Sequence, residues 1–278
     1  MAGVVMNFLL AVAVFYVFLA FSGYKIAVIK IVDYNFLSPR EEHVIVTYVQ
    51  DGTPAKDAGL SGGEIVNAVD GKIMTKSLDF QKYVKDHAGT PVKIDVSSTD
   101  LLSSKSVVVT PRLQPPEGQG ALGIGIGETS VLSYQTIKEK LLSGIAYGID
   151  MLGYNLVVIK HFIFVSFQTK DATLLQEGVS GPIGIYSVVG MILSLGGKDA
   201  ILGILNFLGL MSISLAFMNI LPFPALDGGK LFLLMIEGLT RKKLSPKIEA
   251  KISQMGMAFL LGLIVLISYS DIIKIFKH

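Results

Sequence analysis

Apolar and polar positions divide the chain into segments of two kinds. Apolar runs about as long as a membrane is thick, roughly 20 residues, predict transmembrane helices at 1–22, 198–229 and 255–274. Residues 23–114 instead show short β-branched runs between clusters of Gly, Pro and Ser, which is typical of a soluble α+β module. The pattern therefore predicts an α-helical polytopic membrane protein with an inserted α+β domain.

Residues 115–197 are predicted to form a linker followed by interfacial amphipathic helices. Within them, 131–167 has helical periodicity but carries charged residues such as Lys138 and Asp150 among its apolar positions, which suits a helix lying in the membrane interface. Residues 182–197 are apolar but short for a full crossing. The sequence leaves open whether either segment crosses the membrane.

The composition supports a membrane protein and excludes several kinds of chemistry. Hydrophobic residues make up 51% of the 278 residues and charged residues 17%, which is too apolar for an ordinary soluble domain. The formal net charge of +2 comes from Lys and Arg spread along the chain, so no nucleic-acid partner is expected. Because the chain has no cysteine, disulfides and thiolate metal ligands are excluded, which leaves His, Asp and Glu for any transition metal.

The predicted orientation depends on residues 230–254, a loop rich in Lys and Arg. Because basic loops stay on the cytoplasmic side, we expect this loop in the cytoplasm and the α+β module outside it. If 131–167 crossed the membrane alone, the module would be cytoplasmic instead. A second crossing at 182–197 would restore the first orientation.

An apolar helix is expected to break just before a carboxylate. Pro222 and Pro224 remove two backbone donors at the end of an apolar run, and Asp227 follows them. Broken backbone at membrane depth is tolerated only inside protein or beside a water-filled cavity, and an ionisable residue there is a candidate functional group. The alternative is that Asp227 merely N-caps the next helix, with Gly228 and Gly229 easing a turn.

The module contains a run of residues, 51–72, that resembles the signature of bacterial PDZ domains. Ten positions agree in register: Gly52, Pro54, Ala55, Ala58, Gly59, Leu60, Gly63, Ile65, Asp70 and Gly71. In physical terms, Pro54 predicts the start of a short helix, Gly59 its end, and Asp70 with Gly71 a hairpin turn. PDZ domains bind extended peptides or C-termini by strand addition, so the resemblance implies a peptide-binding module. A packing module without a ligand is the alternative.

Together with an external PDZ module, two further motifs resemble the bacterial site-2 proteases, which are zinc-dependent intramembrane metalloproteases. One is Gly-Pro-Ile-Gly-Ile at 181–185, and the other is Asn-x-x-Pro-x-Pro-x-Leu-Asp-Gly-Gly at 219–229, followed by one terminal span. The opening Ala-Gly-Val-Val-Met-Asn at 2–7 is similar to the family's A-G-P-x-x-N at the start of its second helix, with Val4 where proline is usual. The resemblance covers nearly the whole chain.

The resemblance implies a zinc site. Asp227 would be the third zinc ligand, and the residues that position the substrate would be Asn7, Asn219, Pro222, Pro224, Leu226, Gly228 and Gly229. In such enzymes zinc polarises the scissile carbonyl and lowers the pKa of its bound water, while a glutamate acts as general base. The implied substrates are single-span membrane proteins, such as an anti-sigma factor or a signal-peptide remnant. The implied location is the bacterial cytoplasmic (inner) membrane, with the PDZ domain extracytoplasmic.

The family's other two zinc ligands, the histidines of an H-E-x-x-H helix, have no counterpart in this sequence. Its four histidines are neither followed by Glu nor paired with one another: His43, His87, His161 and His278. We expect them to be ordinary solvated side chains. Since catalytic zinc typically takes three protein ligands, the chain alone is expected to be inactive. Its start, where the family's second helix begins, leads us to expect an N-terminal truncation.

Other interpretations predict different functions. In the first, the chain is a catalytically dead membrane scaffold whose PDZ module binds exported peptides. In the second, a separate chain supplies the H-E-x-x-H helix in trans. A transporter built on the broken helix at Pro222 is not favoured, because no second broken segment is arranged as an inverted repeat.

Overall fold

The computed structural model describes residues 2–98, 103–169, 181–240 and 245–277. They form two compact units. The helical unit comprises Met1–Phe18 with Gly144–His278, and the sheet unit comprises Leu19–Ser143.

The sheet unit is built on six strands in the spatial order β1-β6-β2-β3-β4-β5, with antiparallel neighbours. The strands are β1 (Lys25–Ile29), β2 (Arg40–Val49), β3 (Ile65–Val69), β4 (Val92–Ser97), β5 (Ser104–Val109) and β6 (Ile124–Ser133). Two helices complete it, α2 (Pro54–Asp57) and α3 (Ser77–Asp86). The order of elements along the chain is therefore that of an α+β module.

The core of the sheet unit forms from the alternation of β-branched residues along its strands. Val44 and Val46 of β2 are fully buried in one cluster, because side chains two positions apart point to the same face of a strand. Helix α3 adds Phe80 and Val84 to this cluster, one helical turn apart. Each large apolar side chain buried in this way contributes about 1.5–3 kcal/mol, so the cluster joins helix and sheet into one body.

The local structure predicted from the PDZ-like signature is confirmed. Pro54 is the first residue of α2, and Gly59, with φ +82°, ends the turn that follows it. Asp70 and Gly71 both have positive φ, and Val69 and Lys72 on either side exchange backbone hydrogen bonds of 2.8 and 2.9 Å. Two consecutive positive φ angles define the type I′ turn that joins tight hairpins.

The boundary predicted at residue 114 is wrong, because the segment 115–197, predicted to begin with a linker, includes a strand in the interior of the sheet. β6 pairs with both β1 and β2. Its glycines suggested a linker, but two of them serve packing: a Cβ on Gly125 would overlap the ring of Tyr48, and one on Gly127 would press on Thr47 at 3.3 Å. A glycine within a strand often marks such a close approach.

Four helices of the described chain are long and apolar enough to cross a membrane, by length and composition. They are α1 (Ala2–Phe21), α4 (Ile137–Thr169), α6 (Gly197–Ile220) and α8 (Pro246–Lys277). Two shorter helices accompany them, α5 (Pro182–Ser194) and α7 (Asp227–Thr240). With the sheet unit inserted in the chain between α1 and α4, the protein is a helical membrane protein with an inserted PDZ-like domain.

The prediction for 131–167 places the helix start too early, because 131–133 are the end of β6. The start of α4 is set by a capping box. The Oγ1 of Thr136 accepts a hydrogen bond from the Glu139 N–H at 3.2 Å, and the Oε2 of Glu139 accepts one from the Thr136 N–H at 3.0 Å. Since α4 is itself long and apolar enough for a crossing, the interfacial position stays a prediction.

The basic segment 230–254 is mostly helical, so its description as a loop is wrong. Helix α7 continues to Thr240 and α8 begins at Pro246. Lys, Arg and Glu indicated a loop by their charge, but they are also good helix formers, and proline is favoured at the first position of a helix. Helix α8 therefore extends beyond the predicted 255–274 at both ends.

The helices α1, α4 and α6 pack around one aromatic pair. Phe15 of α1 and Tyr147 of α4 are buried, with ring centroids 4.9 Å apart in an edge-on arrangement. A Cβ on Gly209 of α6 would overlap the Phe15 ring, and the Tyr147 hydroxyl donates to Asn206 Oδ1 at 3.0 Å. Small residues and polar pairs of this kind hold helices together where the surrounding lipid is as apolar as the side chains.

Candidate functional site

The predicted break in the apolar helix is confirmed, and it lies between two helices. Helix α6 ends at Ile220 and α7 begins at Asp227. Between them the Phe223 N–H donates to the Leu221 carbonyl at 2.7 Å, and Ala225 has a φ of +82°. Positive φ at a residue with a Cβ is strained, and such strain is concentrated at functional sites. We call residues 221–226 the break.

The glycines that follow the break provide space. A Cβ on Gly228 would overlap the carbonyl oxygen of Ile220, and one on Gly229 would overlap that of Phe223. Neither Gly228 nor Gly229 is among the glycines with a positive φ, so easing a turn is not their role. They allow the first turn of α7 to pass directly against the end of α6.

Asp227 is half-buried and is the first residue of α7. The carbonyl of Leu226 accepts from the Lys230 N–H at 3.3 Å, and accepting the first intrahelical bond is the mark of the N-cap residue. Leu226, and not Asp227, is therefore the N-cap. Asp227 lies where the positive end of the helix dipole favours a carboxylate.

The structure brings the Asp227 carboxylate to the start of α1. A Cβ placed on Gly3 would lie 3.6 Å from Asp227 Oδ2, an ordinary van der Waals contact, so the carboxylate lies directly beside Gly3. Asn7 is four residues further on and lies on the same face of α1, half-buried. Asn219 is half-buried in the last turn of α6. The opening motif at 2–7 and the motif at 219–229 thus meet at Asp227.

A zinc site cannot be assembled from the described residues alone. Among them there is no group of three or more His, Cys, Asp or Glu that could hold a metal ion. His278 lies outside the described residues, and His161 is exposed as expected. His43 and His87 are only partly exposed, which corrects the expectation that they are solvated: the His43 side chain is 14% exposed beside Glu41.

A cavity that the sequence did not indicate lies between α1, α4 and α6 and has a volume of about 300 Å³. All its lining residues are apolar: Val4, Val5, Phe8, Leu152, Ile213, Ala216, Phe217 and Ile220. Ile220 is the last residue before the break, so the cavity lies close to it. Such a space suits an apolar segment and no ion.

The sheet unit has a larger groove of about 670 Å³ between α3 and the start of β6. Its lining is apolar at Phe80, Val84 and Leu122, with two cations, Lys85 and Arg112, and no carboxylate. None of the ten signature positions lines this groove. One of them supports its wall, since the Ala55 N–H donates to the carbonyl of the lining residue Leu122 at 3.2 Å.

Arg112 is the polar residue of the groove that has an unused donor. Its Nη2 donates to Gln119 Oε1 at 3.0 Å and to the Gly120 carbonyl at 3.2 Å. Its Nε is buried and has no hydrogen-bond partner among the described residues. An unpaired buried donor is costly and calls for an explanation such as a ligand or a water molecule.

Comparisons with known proteins agree with these motifs. The chain is 31% identical over 230 residues to the zinc metalloprotease RasP of Shouchella clausii (strain KSM-K16), which covers 82% of this chain and 51% of that protein. It is 28% identical over 279 residues to the regulator of sigma-W protease RasP of Bacillus subtilis (strain 168), with 99% and 58% covered. The chain thus spans about half the length of the curated relatives it matches.

A solved structure and a family model also match. The PDZ domain of an SdrC-like protein from Listeria monocytogenes is 25% identical, with a TM-score of 0.27, and covers 34% of this chain and 90% of that one. The model of peptidase family M50 matches residues 1–263. Because that match covers nearly the whole chain, the resemblance to the site-2 proteases is confirmed, and this chain belongs to peptidase family M50.

Proposed function

We propose that this chain forms the Asp227-bearing part of a membrane-embedded zinc metalloendopeptidase that cleaves single-span membrane proteins. The observation that carries the proposal is the Asp227 carboxylate at the start of α7, directly after the break and beside Gly3 of α1. A carboxylate beside broken backbone in an apolar unit is costly, and a costly group of this kind marks a candidate functional site. The names of the matched relatives support zinc proteolysis.

In this proposal the chain's own residues hold the substrate. A peptide bond inside a transmembrane helix is shielded because its carbonyl is hydrogen-bonded within the helix, so the substrate must unwind before it is cut. The break offers non-helical backbone from Leu221 to Leu226, and the side-chain amides of Asn7 and Asn219 can both donate and accept hydrogen bonds. Pro222 and Pro224 keep this backbone from closing into a helix.

Asp227 would be one zinc ligand of the complete enzyme, and the described residues do not supply the others. We therefore assign no step of the reaction to the metal in this chain. Two observations define what Asp227 can do alone: it is half-buried, and its carboxylate is held at a helix N-terminus, where negative charge is favoured.

The test is to read the genomic DNA upstream of codon 1 in frame and to express the complete gene with a single-span reporter. An H-E-x-x-H motif on an apolar helix, with zinc-dependent cleavage, would support the proposal. Asp227→Asn should lower cleavage more than about 100-fold, since even the loss of a residue that only orients a ligand costs 10–100-fold. Asp199→Asn, an exposed carboxylate in the first turn of α6, is the control. Full cleavage by Asp227→Asn would refute the proposal.

A catalytically dead, membrane-anchored peptide-binding scaffold is the second candidate. The observation that favours it is a formed groove in the sheet unit, together with the lack of a three-ligand group among the described residues. A stop codon upstream, with no H-E-x-x-H motif, would support the scaffold and exclude a protease site formed by this gene alone.

In both cases we propose that the groove binds an extended apolar peptide that carries a carboxylate. The walls supply apolar contacts at Phe80 and Val84, and the only charges in the lining, Lys85 and Arg112, are positive. The carboxylate could belong to the peptide's C-terminus or to an acidic side chain. In either case it would pair with the positively charged guanidinium group of Arg112.

A further inference from the structure

Asp271 is a buried carboxylate that the proposed function does not use. It lies on α8, a candidate membrane span, and is 3% exposed. Its Oδ2 accepts two backbone hydrogen bonds, from the Gly181 N–H at 2.9 Å and the Gly184 N–H at 2.8 Å. These two groups belong to the N-cap and the first turn of α5. One helix therefore provides the N-terminal cap of another, which satisfies a carboxylate that would otherwise be costly to bury.

Helix α5 contacts α8 at its first turn and α6 at its other end. None of its residues is buried. Gly181 fits tightly against α8, since a Cβ there would lie 2.9 Å from Ile267 Cγ2. At its other end α5 contacts α6, where a Cβ on Gly203 would lie 2.6 Å from Ile192 Cγ2. Helix α5 thus bridges the end of α8 and the start of α6.

Helix α8 also has few buried residues, with 11% of its most apolar window buried. Its contact with the break is at Gly256, where a Cβ would overlap the Pro224 carbonyl, and at Phe259, whose ring centroid is 5.7 Å from that of Phe223. Asp271 lies 15 residues beyond Gly256, roughly 22 Å along the helix at 1.5 Å per residue. The contact with the break is therefore in the first half of α8, whereas Asp271 is near its C-terminal end.

We propose that Asp271 is a positioning residue for the break. By capping α5, which is itself attached to α6, Asp271 fixes the far end of α8, and α8 in turn presses Gly256 and Phe259 against Pro224 and Phe223. The break, α6, α5 and α8 then form a closed frame. If the cap is lost, α8 is free to swing about its remaining contact. This proposal rests on the proposed function in one respect: it takes the break as part of the substrate site, whose position must be fixed.

The test uses a pair of introduced cysteines at the break. Because the chain has no native cysteine, Phe223→Cys with Phe259→Cys provides the only thiols. The full chain in lipid nanodiscs is treated with a short bis-methanethiosulfonate cross-linker, and the rate of intramolecular cross-linking is measured. Asp271→Leu should lower this rate at least fivefold. Asp271→Asn, which keeps an acceptor oxygen, should change it less than twofold.

Two further variants exclude simpler explanations. Asp271→Leu makes α8 more apolar, so failure to enter the bilayer cannot cause the loss. Gly184→Pro removes one donor at a helical turn where proline is tolerated, and it should lower the rate in the same direction. Asp199→Leu, at an exposed position of α6, should leave it unchanged. An unchanged rate in Asp271→Leu would overturn the proposal. Because the measurement needs neither zinc nor cleavage, its outcome is independent of the Asp227 test.

Discussion

Gly228 shows how closely the backbone is packed around the Asp227 carboxylate. A Cβ there would overlap the Ile220 carbonyl, whereas one on Gly238 of the same helix meets nothing within 4 Å. We expect Gly228→Ala to destabilise the protein by about 1–3 kcal/mol, as overpacking does. Gly238→Ala should be neutral or stabilising by up to about 1 kcal/mol, because alanine is the better helix former. Thermal unfolding in nanodiscs tests this, and equal melting temperatures for the two variants would contradict it.

At the residue scale, the sequence predicted those features whose cause is local. Pro222 and Pro224 cannot continue a helix whatever surrounds them, so the break and the isolated Asp227 after it could be identified. The role of Asp271 could not be predicted, because its partners are the backbone N–H groups of Gly181 and Gly184. Every residue except proline has such a group, so the residue type does not indicate which distant N–H a carboxylate will contact. The lack of space for a side chain at Gly228 could not be predicted either, since it depends on how closely the end of α6 packs against the start of α7.

At the scale of elements, the groove between α3 and β6 leads to a prediction for Arg112. A hydrogen bond to a charged group contributes about 1.5–3 kcal/mol, so Arg112→Gln should weaken binding of an apolar peptide with a free C-terminal carboxylate by about 10–100-fold. Lys82→Gln, which is exposed on α3 and does not line the groove, is the matched control. Fluorescence anisotropy with the full chain gives both affinities.

Comparison peptides separate the two sources of the carboxylate. An amidated C-terminus should abolish the Arg112 effect if the chain end is recognised, whereas replacing an internal Glu by Gln should abolish it if a side chain is. Equal affinities of Arg112→Gln and Lys82→Gln for every peptide would contradict a carboxylate at this groove.

β6 is the element that the sequence predicted least well. Gly123, just before it, and Gly125 and Gly127 within it are typical of a linker when read alone. In the sheet they serve packing: a Cβ on Gly123 would overlap Thr53, and one on Gly125 would overlap Tyr48. The neighbouring residues that require these glycines lie far away in sequence. Apolar runs of membrane length predicted α1, α6 and most of α8, because such a run depends on the composition of one element only.

At the scale of the whole molecule, we propose that α4 lies in the membrane interface, that the sheet unit lies outside the cytoplasmic membrane, and that the basic segment 230–254 lies in the cytoplasm. The basic residues of 230–254 support this orientation. In the cysteine-free chain, Lys72→Cys on the sheet unit and Lys251→Cys on α8 are both exposed. A membrane-impermeant maleimide should label Lys72→Cys in intact cells, and Lys251→Cys only after permeabilisation. Labelling of both variants only after permeabilisation would show that the sheet unit is cytoplasmic, and it would contradict the proposal.

The pairing of β1 with β6 has a consequence for how the protein is made. β1 enters the sheet directly after α1, but its partner β6 is the last strand of the unit, and the two meet at Lys25 and Ser133. As the chain emerges from the ribosome, β1 remains unpaired until almost the entire unit has been synthesised. Contacts so distant in sequence form slowly and leave strand edges open to aggregation in the meantime. A chaperone that shields β1 during this interval would therefore raise the yield of folded protein.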